Sequence, residues 1–215
     1  MNKTTNERRV NTEILRKYLE TQNIPKVITF ENLKEGRPEM FKVAIEEANK
    51  IEGLYLEFGV MSGGTTNQIA KLIPNKILYG FDSWKGITED FSEIHKKGTW
   101  IERPRISEKN IEIIEGFYQN TLEPFLQKYP EKIAFIHNSS SIYSSTKYML
   151  DTIAKNNRFQ IGTIIQFDTM FYQEGNYWYQ DEFLAWNEIQ EQYKIESEYL
   201  AWAGFCHCAY KITKI

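Results

Sequence analysis

A glycine-rich turn, Tyr55-Leu-Glu-Phe-Gly-Val-Met-Ser-Gly-Gly-Thr65, joins a predicted strand to a predicted helix. Leu54–Phe58 is a short apolar run of the kind that forms a buried strand, and Thr65–Leu72 follows as a helical stretch. In open α/β sheets, ligands bind at turns of this kind, where a strand ends and a helix begins.

The residue types in this turn favour a ligand at its backbone. Gly59 allows the tight turn after the strand, while Gly63 and Gly64 let a ligand approach closely. Glu57 suits a cationic ligand group, whereas a phosphate-binding turn would present bare amides at the helix start. Ser62 does not stand in a G-x-S-x-G pattern, which argues against a hydrolase nucleophile. From this stretch alone, a glycine-rich turn without a ligand stays open as the alternative.

Short apolar runs continue to alternate with helical stretches along the chain. Further strands are predicted at Lys76–Phe81, Ile111–Ile114, Ile133–Ile136 and Gly162–Phe167, with helices at Thr121–Lys128, Ser145–Ala154 and Gln180–Tyr193. The end differs, because Ser197–Trp202 and Phe205–Ile212 read as two strands with no helix between them. We therefore predict an α/β fold with a doubly wound, mostly parallel, Rossmann-like sheet, closed by a C-terminal antiparallel hairpin.

The N-terminal part of the chain has a different pattern. Residues 12–50 read as helical, with apolar residues at helical spacing in Ile14–Leu19 and in Met40–Ala48. We predict that residues 1–50 form a helical extension of one domain whose main part spans residues 51–215.

Composition excludes several classes of protein. The chain has 215 residues and a net charge of −3, which argues against a general binder of nucleic acid. Its polar start, Met1–Arg9, lacks the apolar segment of a secretory signal, and no run approaches the roughly 18 apolar residues of a membrane span. Two cysteines, Cys206 and Cys208, fit a reducing compartment. We expect a cytoplasmic protein without a membrane partner.

A second motif, Gly80-Phe-Asp-Ser-Trp-Lys-Gly86, follows the second predicted strand of the sheet. Asp82 stands at the carboxyl end of that strand, where a carboxylate holds the ribose of a nucleoside in such sheets. By itself it could equally be a helix cap or a turn residue. Together with Glu57 it favours an adenosine ligand. The turn reads E-x-G-x-x-x-G rather than G-x-G-x-x-G, which disfavours a nicotinamide dinucleotide.

A third motif, Glu115-Gly-Phe-Tyr118, ends the next predicted strand. This position lies beside the adenine in such a sheet. Gly116 would let the base come close, and Phe117 or Tyr118 would stack on it. Core aromatic residues at a turn are the alternative.

Several segments of the chain occur together in the order that one known family has. They are Leu56-Glu-Phe-Gly-Val60, Ser62-Gly-Gly64, Tyr79–Gly86, Glu115-Gly-Phe117, Thr121-Leu122 and Ile142-Tyr-Ser-Ser-Thr146. From about Gly53 to the C-terminus, the chain resembles the macrocin O-methyltransferase family, which methylates sugar hydroxyls of macrolide and aminocoumarin antibiotics.

The resemblance implies a class I methyltransferase fold, S-adenosylmethionine as methyl donor and a divalent metal, normally magnesium. A C-terminal antiparallel hairpin on a parallel sheet is common among methyltransferases. The residues expected to hold the cofactor are Glu57, Gly59, Ser62, Gly63, Asp82, Ser83, Gly116 and Phe117.

The implied metal site is where this sequence departs from the family. The resemblance implies carboxylates at positions 139, 168 and 169, and the chain has Ser139, Asp168 and Thr169 there. Magnesium prefers oxygen ligands, typically one or two carboxylates and several waters. We therefore predict no metal site, with metal binding weak or absent. The family's favoured general base matches Ser139, so the usual deprotonation route is also missing.

Asp168 and His137 are the predicted catalytic residues. They stand at the carboxyl ends of adjacent predicted strands, and either could take a proton from an acceptor hydroxyl. An acceptor that is already anionic or nucleophilic, such as a phosphate, carboxylate or amine, would need neither metal nor strong base. For His137, a helix-cap or core histidine is the alternative.

Three further segments attract attention. Phe91–Arg105 is an insertion that fits a lid or an acceptor-binding loop, whose basic residues would hold an anionic acceptor. A solvated surface loop is the alternative. Tyr172–Tyr179 is an aromatic loop that fits either an acceptor wall or a homodimer contact. Cys206-His-Cys208 has too few ligands for a structural zinc site, so a packed terminal strand is predicted.

We therefore hypothesise S-adenosylmethionine-dependent O-methylation of a small molecule, a sugar or a related or anionic metabolite, without the usual metal. The missing carboxylates motivate a second hypothesis, a degenerate methyltransferase that binds the cofactor and regulates or scaffolds a partner. A nicotinamide-dependent oxidoreductase is the third hypothesis, disfavoured by the glycine spacing.

Overall fold

The computed structural model describes residues 14–15, 17–28, 33–171, 179–203 and 206–215. An eight-stranded sheet lies between two layers of helices. The strands are β1 (Lys26–Ile28), β2 (Leu54–Phe58), β3 (Leu78–Asp82), β4 (Ile111–Glu115), β5 (Ile133–Asn138), β6 (Ile164–Phe167), β7 (Glu196–Ala203) and β8 (His207–Lys214). The helices are α1 (Leu33–Ala48), α2 (Gly64–Leu72), α3 (Tyr118–Lys128), α4 (Tyr143–Lys155) and α5 (Asp181–Tyr193), and residues 14–15 and 17–20 are also helical.

The sheet has the order β1-β7-β8-β6-β5-β2-β3-β4. All neighbouring pairs are parallel except those of β8, which runs antiparallel to both β6 and β7. The predicted doubly wound sheet with a C-terminal antiparallel hairpin is confirmed. From β2 the chain adds β3 and β4 on one side, and β5 and β6 then follow on the other. This reversal creates a switch point between β2 and β5, where open α/β sheets bind ligands.

The central strands are apolar because helices cover both of their faces. Leu56 and Phe58 of β2 pack in the core beneath α3, α4 and α5, whereas Tyr55 packs against α1 and α2 on the other face. Every residue of β5 is buried. Continuous apolar runs of this kind are typical of parallel strands buried on both faces.

One segment of the predicted helical extension is a strand. β1 pairs in parallel with β7 at the edge of the sheet, so the helical prediction for residues 12–50 is wrong there. Three residues are too few to display a strand periodicity, and they form a strand only by pairing with β7, which lies far along the chain. α1 continues through Pro38, which lies in its first two turns.

Two observations complete the fold. Among the helices of the described ranges, none has both the length and the apolar character needed to cross a membrane. Residues 172–178 of the predicted aromatic loop lie outside the described residues, so its interpretations as an acceptor wall or a homodimer contact stay predictions.

Candidate active site

A cavity of about 390 Å³ opens at the carboxyl ends of the strands, at the switch point of the sheet. We call its wall from the turns after β2, β3 and β4 the glycine half, which contains Gly59–Ser62, Gly64–Thr65, Asp82–Ser83 and Gly116–Gln119. We call its wall from the turns after β5 and β6 the serine half, which contains Ser139–Ser141, Ser145 and Asp168–Thr169. Most of the predicted site residues line this cavity: Gly59, Ser62, Asp82, Ser83, Gly116, Phe117 and Asp168.

Gly59 lies where the two halves meet. Its φ is +92°, and a Cβ there would stand 2.5 Å from the carbonyl oxygen of Ser139. Its amide donates to the carbonyl oxygen of Phe81 at 3.0 Å, which holds the turn against the end of β3. A side chain therefore cannot be accommodated without moving the backbone of one half. Gly63 also has a positive φ, of +82°, and caps α2 without itself lining the cavity.

Asp82 clamps the glycine half. Its Oδ2 accepts a hydrogen bond from the Met61 amide, and its Oδ1 accepts one from the Trp84 amide, each at 2.8 Å. The Trp84 ring closes the clamp, since its Nε1 donates to the Met61 carbonyl at 3.0 Å. Met61 and Trp84 have positive φ values of 47° and 48°. Residues other than glycine rarely adopt this backbone conformation, so the hydrogen bonds of Asp82 hold a strained turn.

Glu57 and His137 lie directly behind the cavity and do not line it. The sheet register places them opposite each other on β2 and β5, and both are fully buried. Oε1 of Glu57 lies 2.9 Å from Nδ1 of His137 and accepts a hydrogen bond from Thr65 Oγ1 at 2.7 Å. Oε2 of Glu57 has no hydrogen-bond partner among the described residues. A buried carboxylate oxygen without a partner is costly unless a ligand or water satisfies it.

The charge of His137 is governed by two carboxylates. Burial lowers its pKa, but Asp168 and Glu57 together raise the pKa of His137 to about 9. The Phe41 ring packs edge-on against the imidazole at a centroid distance of 5.0 Å. With this pKa, His137 is protonated at neutral pH, between the carboxyl groups of Glu57 and Asp168.

Asp168 is buried in the wall of the serine half and has four polar neighbours. Its Oδ2 accepts hydrogen bonds from Arg37 Nη2 at 2.8 Å and from Ser139 Oγ at 3.4 Å. His207 Nδ1 lies 2.9 Å and His137 Nε2 lies 3.8 Å from Oδ1. His207 Nδ1 and Asp168 Oδ1 are close, but their geometry is not that of a hydrogen bond. Neither atom has a hydrogen-bond partner among the described residues. Burial raises the pKa of Asp168, but the two histidines hold it well below its usual range.

The residues of the serine half do not fit a divalent metal. Asp168 is the only carboxylate at the three positions where the family resemblance implies metal ligands, and its Oδ2 is already paired with a guanidinium. Ser139 and Thr169 offer neutral hydroxyls, which are weak ligands for magnesium. Across the described part of the chain, no group of three or more histidine, cysteine, aspartate or glutamate side chains is arranged to hold a metal.

A buried acid lies beneath the serine half. Glu182, in the first turn of α5, accepts hydrogen bonds from Asn138 Nδ2 at 2.8 Å and from the Thr169 amide at 3.0 Å. Burial is the main reason that the pKa of Glu182 is raised to about 8. Its carboxyl group joins the end of β5 to the turn after β6, so it supports the positions of the residues that line the cavity.

The predicted insertion covers the cavity. Phe91, His95 and Trp100 all line it, and the His95 ring lies against Trp100 at a centroid distance of 4.7 Å. The Arg105 amide donates to the carbonyl oxygen of Ser62 at 3.0 Å, which ties the insertion to the glycine half. The lid interpretation of Phe91–Arg105 therefore fits its position.

Sequence reasoning missed three polar residues of this region. Arg37 reaches the cavity from α1, Glu182 supports it from α5, and His207 approaches Asp168 from β8. The antiparallel register pairs Phe167 with Cys208. Asp168 follows Phe167 and His207 precedes Cys208, so this register brings Asp168 and His207 together. The alternation of Cys206, His207 and Cys208 was a signal for a buried His207, but nothing in the sequence connected Arg37 or Glu182 to the site.

Comparison with known proteins reveals similarity in structure only. No protein-family model matches the chain, and no curated protein matches its sequence. The calicheamicin methyltransferase CalS11 has a similar structure, with a TM-score of 0.64 and 18% identity over 98% of this chain and 94% of CalS11. The O-methyltransferase NovP has a TM-score of 0.62 and 16% identity over 83% of this chain and 80% of NovP.

A third similar structure contains the product of the methyl donor. It is the O-methyltransferase from Bacillus cereus in complex with S-adenosylhomocysteine (SAH), with a TM-score of 0.50 and 13% identity over 95% of this chain and 90% of that protein. At these identities the similarity concerns the fold alone. The chain has the Rossmann-like fold of class I methyltransferases.

Proposed function

We propose that this protein is an S-adenosylmethionine-dependent methyltransferase that methylates an oxygen atom of a small molecule. One observation carries the proposal: the glycine-rich turn, Asp82 and Gly116 come from three separate turns and meet around one cavity at the switch point of the sheet. The family resemblance of the sequence points to the same cofactor. S-adenosylmethionine supplies an electrophilic methyl group on a sulfonium sulfur.

The glycine half offers each part of this cofactor a suitable partner. Gly59 and Ser62 shape a backbone surface for close approach, and Gly63 fixes the start of α2 beside it. Oε2 of Glu57, buried just behind this surface, suits a cationic group. Asp82 and Ser83 face the position of a ribose, since each oxygen of Asp82 can accept a second hydrogen bond. Gly116 and the half-exposed ring of Phe117 suit an adenine.

The serine half is the proposed acceptor side. Asp168 lines it and would contact the acceptor, while His137 stands behind and would act through Asp168 and Glu57. The aromatic residues on the lid suit a small sugar or a related metabolite as acceptor. CalS11 is described as a TDP-rhamnose 3'-O-methyltransferase, which makes sugars reasonable first acceptors to test.

Calorimetry with SAH is the first test. We expect one binding site per chain, and failure to bind would contradict the proposal. A screen of acceptors with labelled methyl donor, with and without EDTA, then tests catalysis. We expect turnover that EDTA does not reduce, and a strict magnesium requirement would overturn the predicted loss of the metal site.

A degenerate, non-catalytic cofactor-binding protein is the second candidate. It is favoured by Ser139 and Thr169, which stand where carboxylates are implied, and by the Arg37–Asp168 ion pair, which engages the remaining carboxylate. Both candidates predict binding of SAH. Slow loss of the labelled methyl group in the presence of an acceptor extract supports the enzyme, whereas tight binding without any turnover supports the regulatory or scaffold protein.

A further inference from the structure

We infer that Arg37 takes the place of a metal ion in the serine half and binds an anionic oxygen group of the acceptor, a carboxylate or a phosphate. This inference rests on the proposed methyltransferase function and names the class of acceptor. It concerns the side chain that the N-terminal helix α1 contributes to the cavity.

The position of Arg37 is the first step of the argument. Arg37 lines the cavity, and its guanidinium donates to Asp168, one of the three positions where the family resemblance implies metal ligands. A divalent cation bound to Asp168 would face the positive charge of Arg37 at close range, so the two cannot share the carboxylate. The guanidinium therefore provides the positive charge that the metal would otherwise provide.

The donors of Arg37 are the second step. A guanidinium has five N–H donors in a planar fork, and among the described residues only Asp168 accepts from one of them, Nη2. Its Nε is buried without an acceptor among the described residues, and about a third of the side chain is exposed. A partly buried guanidinium with free donors is suited to two-point binding of a carboxylate or phosphate.

The surroundings of Arg37 are the third step. The serine half is otherwise lined by residues with neutral side chains, namely Ser139, Ser140, Ser141, Ser145 and Thr169, and Asp168 is its only carboxylate. The serines lead directly into α4, so the positive end of that helix dipole faces the same half. Near this helix start, the Ser144 amide already donates to the carboxylate of Glu89 at 3.3 Å. Hydroxyls, a helix start and a guanidinium together form a site for an anion.

Calorimetry on the protein saturated with SAH tests the inference. The probes are glucuronate and glucose 1-phosphate, which carry a carboxylate and a phosphate, with glucose as the neutral control, all in EDTA. We expect at least one anionic probe to bind with a Kd at least tenfold lower than that of glucose. Which probe binds more tightly tells carboxylate from phosphate. Equal affinity for all three probes, or a preference that needs magnesium, would overturn the inference.

Variants locate the preference. Arg37→Met should remove it while changing the Kd of SAH less than threefold, and Arg37→Lys should keep a reduced preference. Arg105→Met removes an exposed arginine of the insertion and should leave the preference intact. If Arg105→Met removes the preference and Arg37→Met does not, the insertion holds the anion and the inference is wrong. If Arg37→Met fails to fold, the ranking of probes by the unmodified protein and by Arg37→Lys decides.

The same experiment separates this inference from the proposed function. If SAH does not bind, the proposed function fails. If SAH binds and the anionic probes have no advantage over glucose, only the assignment of Arg37 fails.

Discussion

The glycine half and the serine half of the cavity are built in different ways. In the glycine half, one carboxylate and several glycines hold the backbone in a strained shape, and Asp82 reaches residues only two and 21 positions away. In the serine half, side-chain charges meet from distant parts of the chain, and Arg37 lies 131 positions from Asp168. The first half is a shaped backbone surface, whereas the second is an arrangement of charges. Changes in the first should weaken cofactor binding, and changes in the second should spare it.

Gly59→Ala should have the largest effect, because Gly59 lies where the glycine half contacts the serine half. The new Cβ would meet the Ser139 carbonyl at 2.5 Å in a backbone conformation that alanine rarely adopts. We expect the free energy of unfolding to fall by about 3 kcal/mol or more, and SAH binding to be lost. Thermal unfolding and calorimetry measure both.

Gly64→Ala is the matched control for this change. A Cβ at Gly64 meets no atom within 4 Å, and the residue begins α2. Its stability should stay within about 1 kcal/mol of the unmodified protein, since alanine is a better helix former than glycine. Equal losses in the two variants would show that tight backbone contact at Gly59 is not the cause.

Asp82→Asn and Asp168→Asn compare the halves directly. Asparagine has one acceptor oxygen, so Asp82→Asn breaks one of the two bonds that hold Met61 and Trp84. We expect the Kd of SAH to rise at least thirtyfold. Asp168→Asn leaves Arg37 without its anionic partner, but the Kd of SAH should change less than threefold. Calorimetry on both variants checks the contrast, and a reversed order would mean that the two halves are not independent.

Phe117→Ala probes the exposed edge of the glycine half. Phe117 lines the cavity and is 39% exposed, so its ring is available to stack on a base. Base stacking on an aromatic ring contributes about 1–3 kcal/mol, so we expect the Kd of SAH to rise about tenfold. Phe117→Tyr keeps the aromatic face and should bind normally. Weakened binding in the tyrosine variant would argue against stacking.

Glu182→Gln should produce the smallest effect, seen as a change of stability with pH. Burial raises the pKa of Glu182 to about 8 in the folded protein, whereas in the unfolded chain the pKa is near the ordinary glutamate value of 4.5. Between these values only the unfolded chain releases the proton, so rising pH costs stability. The glutamine variant lacks this pH-dependent loss of stability. Its melting temperature, relative to that of the unmodified protein, should therefore rise from pH 5 to pH 9.

Glu188→Gln on the same helix is the control for this pH effect. The Tyr143 hydroxyl and Lys147 hold the pKa of Glu188 below its usual value, so above about pH 6 this carboxyl is ionised in both states. Its variant should follow the pH curve of the unmodified protein in parallel. A curve for Glu182→Gln that is also parallel would mean that Glu182 is already ionised at neutral pH.

Most of the sheet was predictable because its strands are buried on both faces. β2, β5 and β6 are fully buried apolar runs, and helical stretches separate them. β1 was not predictable, since its three residues become a strand only by pairing with β7. The residues lining the glycine half were predictable for a related reason. Each follows a recognisable strand, and parallel strands place their carboxyl ends at one edge of the sheet.

The serine half was predictable only as a set of positions where the family resemblance implies carboxylates. The chain has Ser139 and Thr169 at two of them, but the sequence did not show what lies beside these residues. The Arg37–Asp168 pair depends on how α1 packs across the sheet, and the approach of His207 depends on the register of β8 against β6. Neither has a signature in the order of residues near Asp168.

The sequence by itself determined the parallel sheet, its closing hairpin and the strained turn at Gly59, because these depend on local periodicity and on the freedom of glycine at positive φ. Only the tertiary structure decided that Glu57 and His137 lie behind the cavity and that Arg37 neutralises Asp168. The physical reason is that charges interact through space rather than along the chain. Residues that are far apart in sequence therefore acquire their protonation states and partners only when the helices and strands have packed.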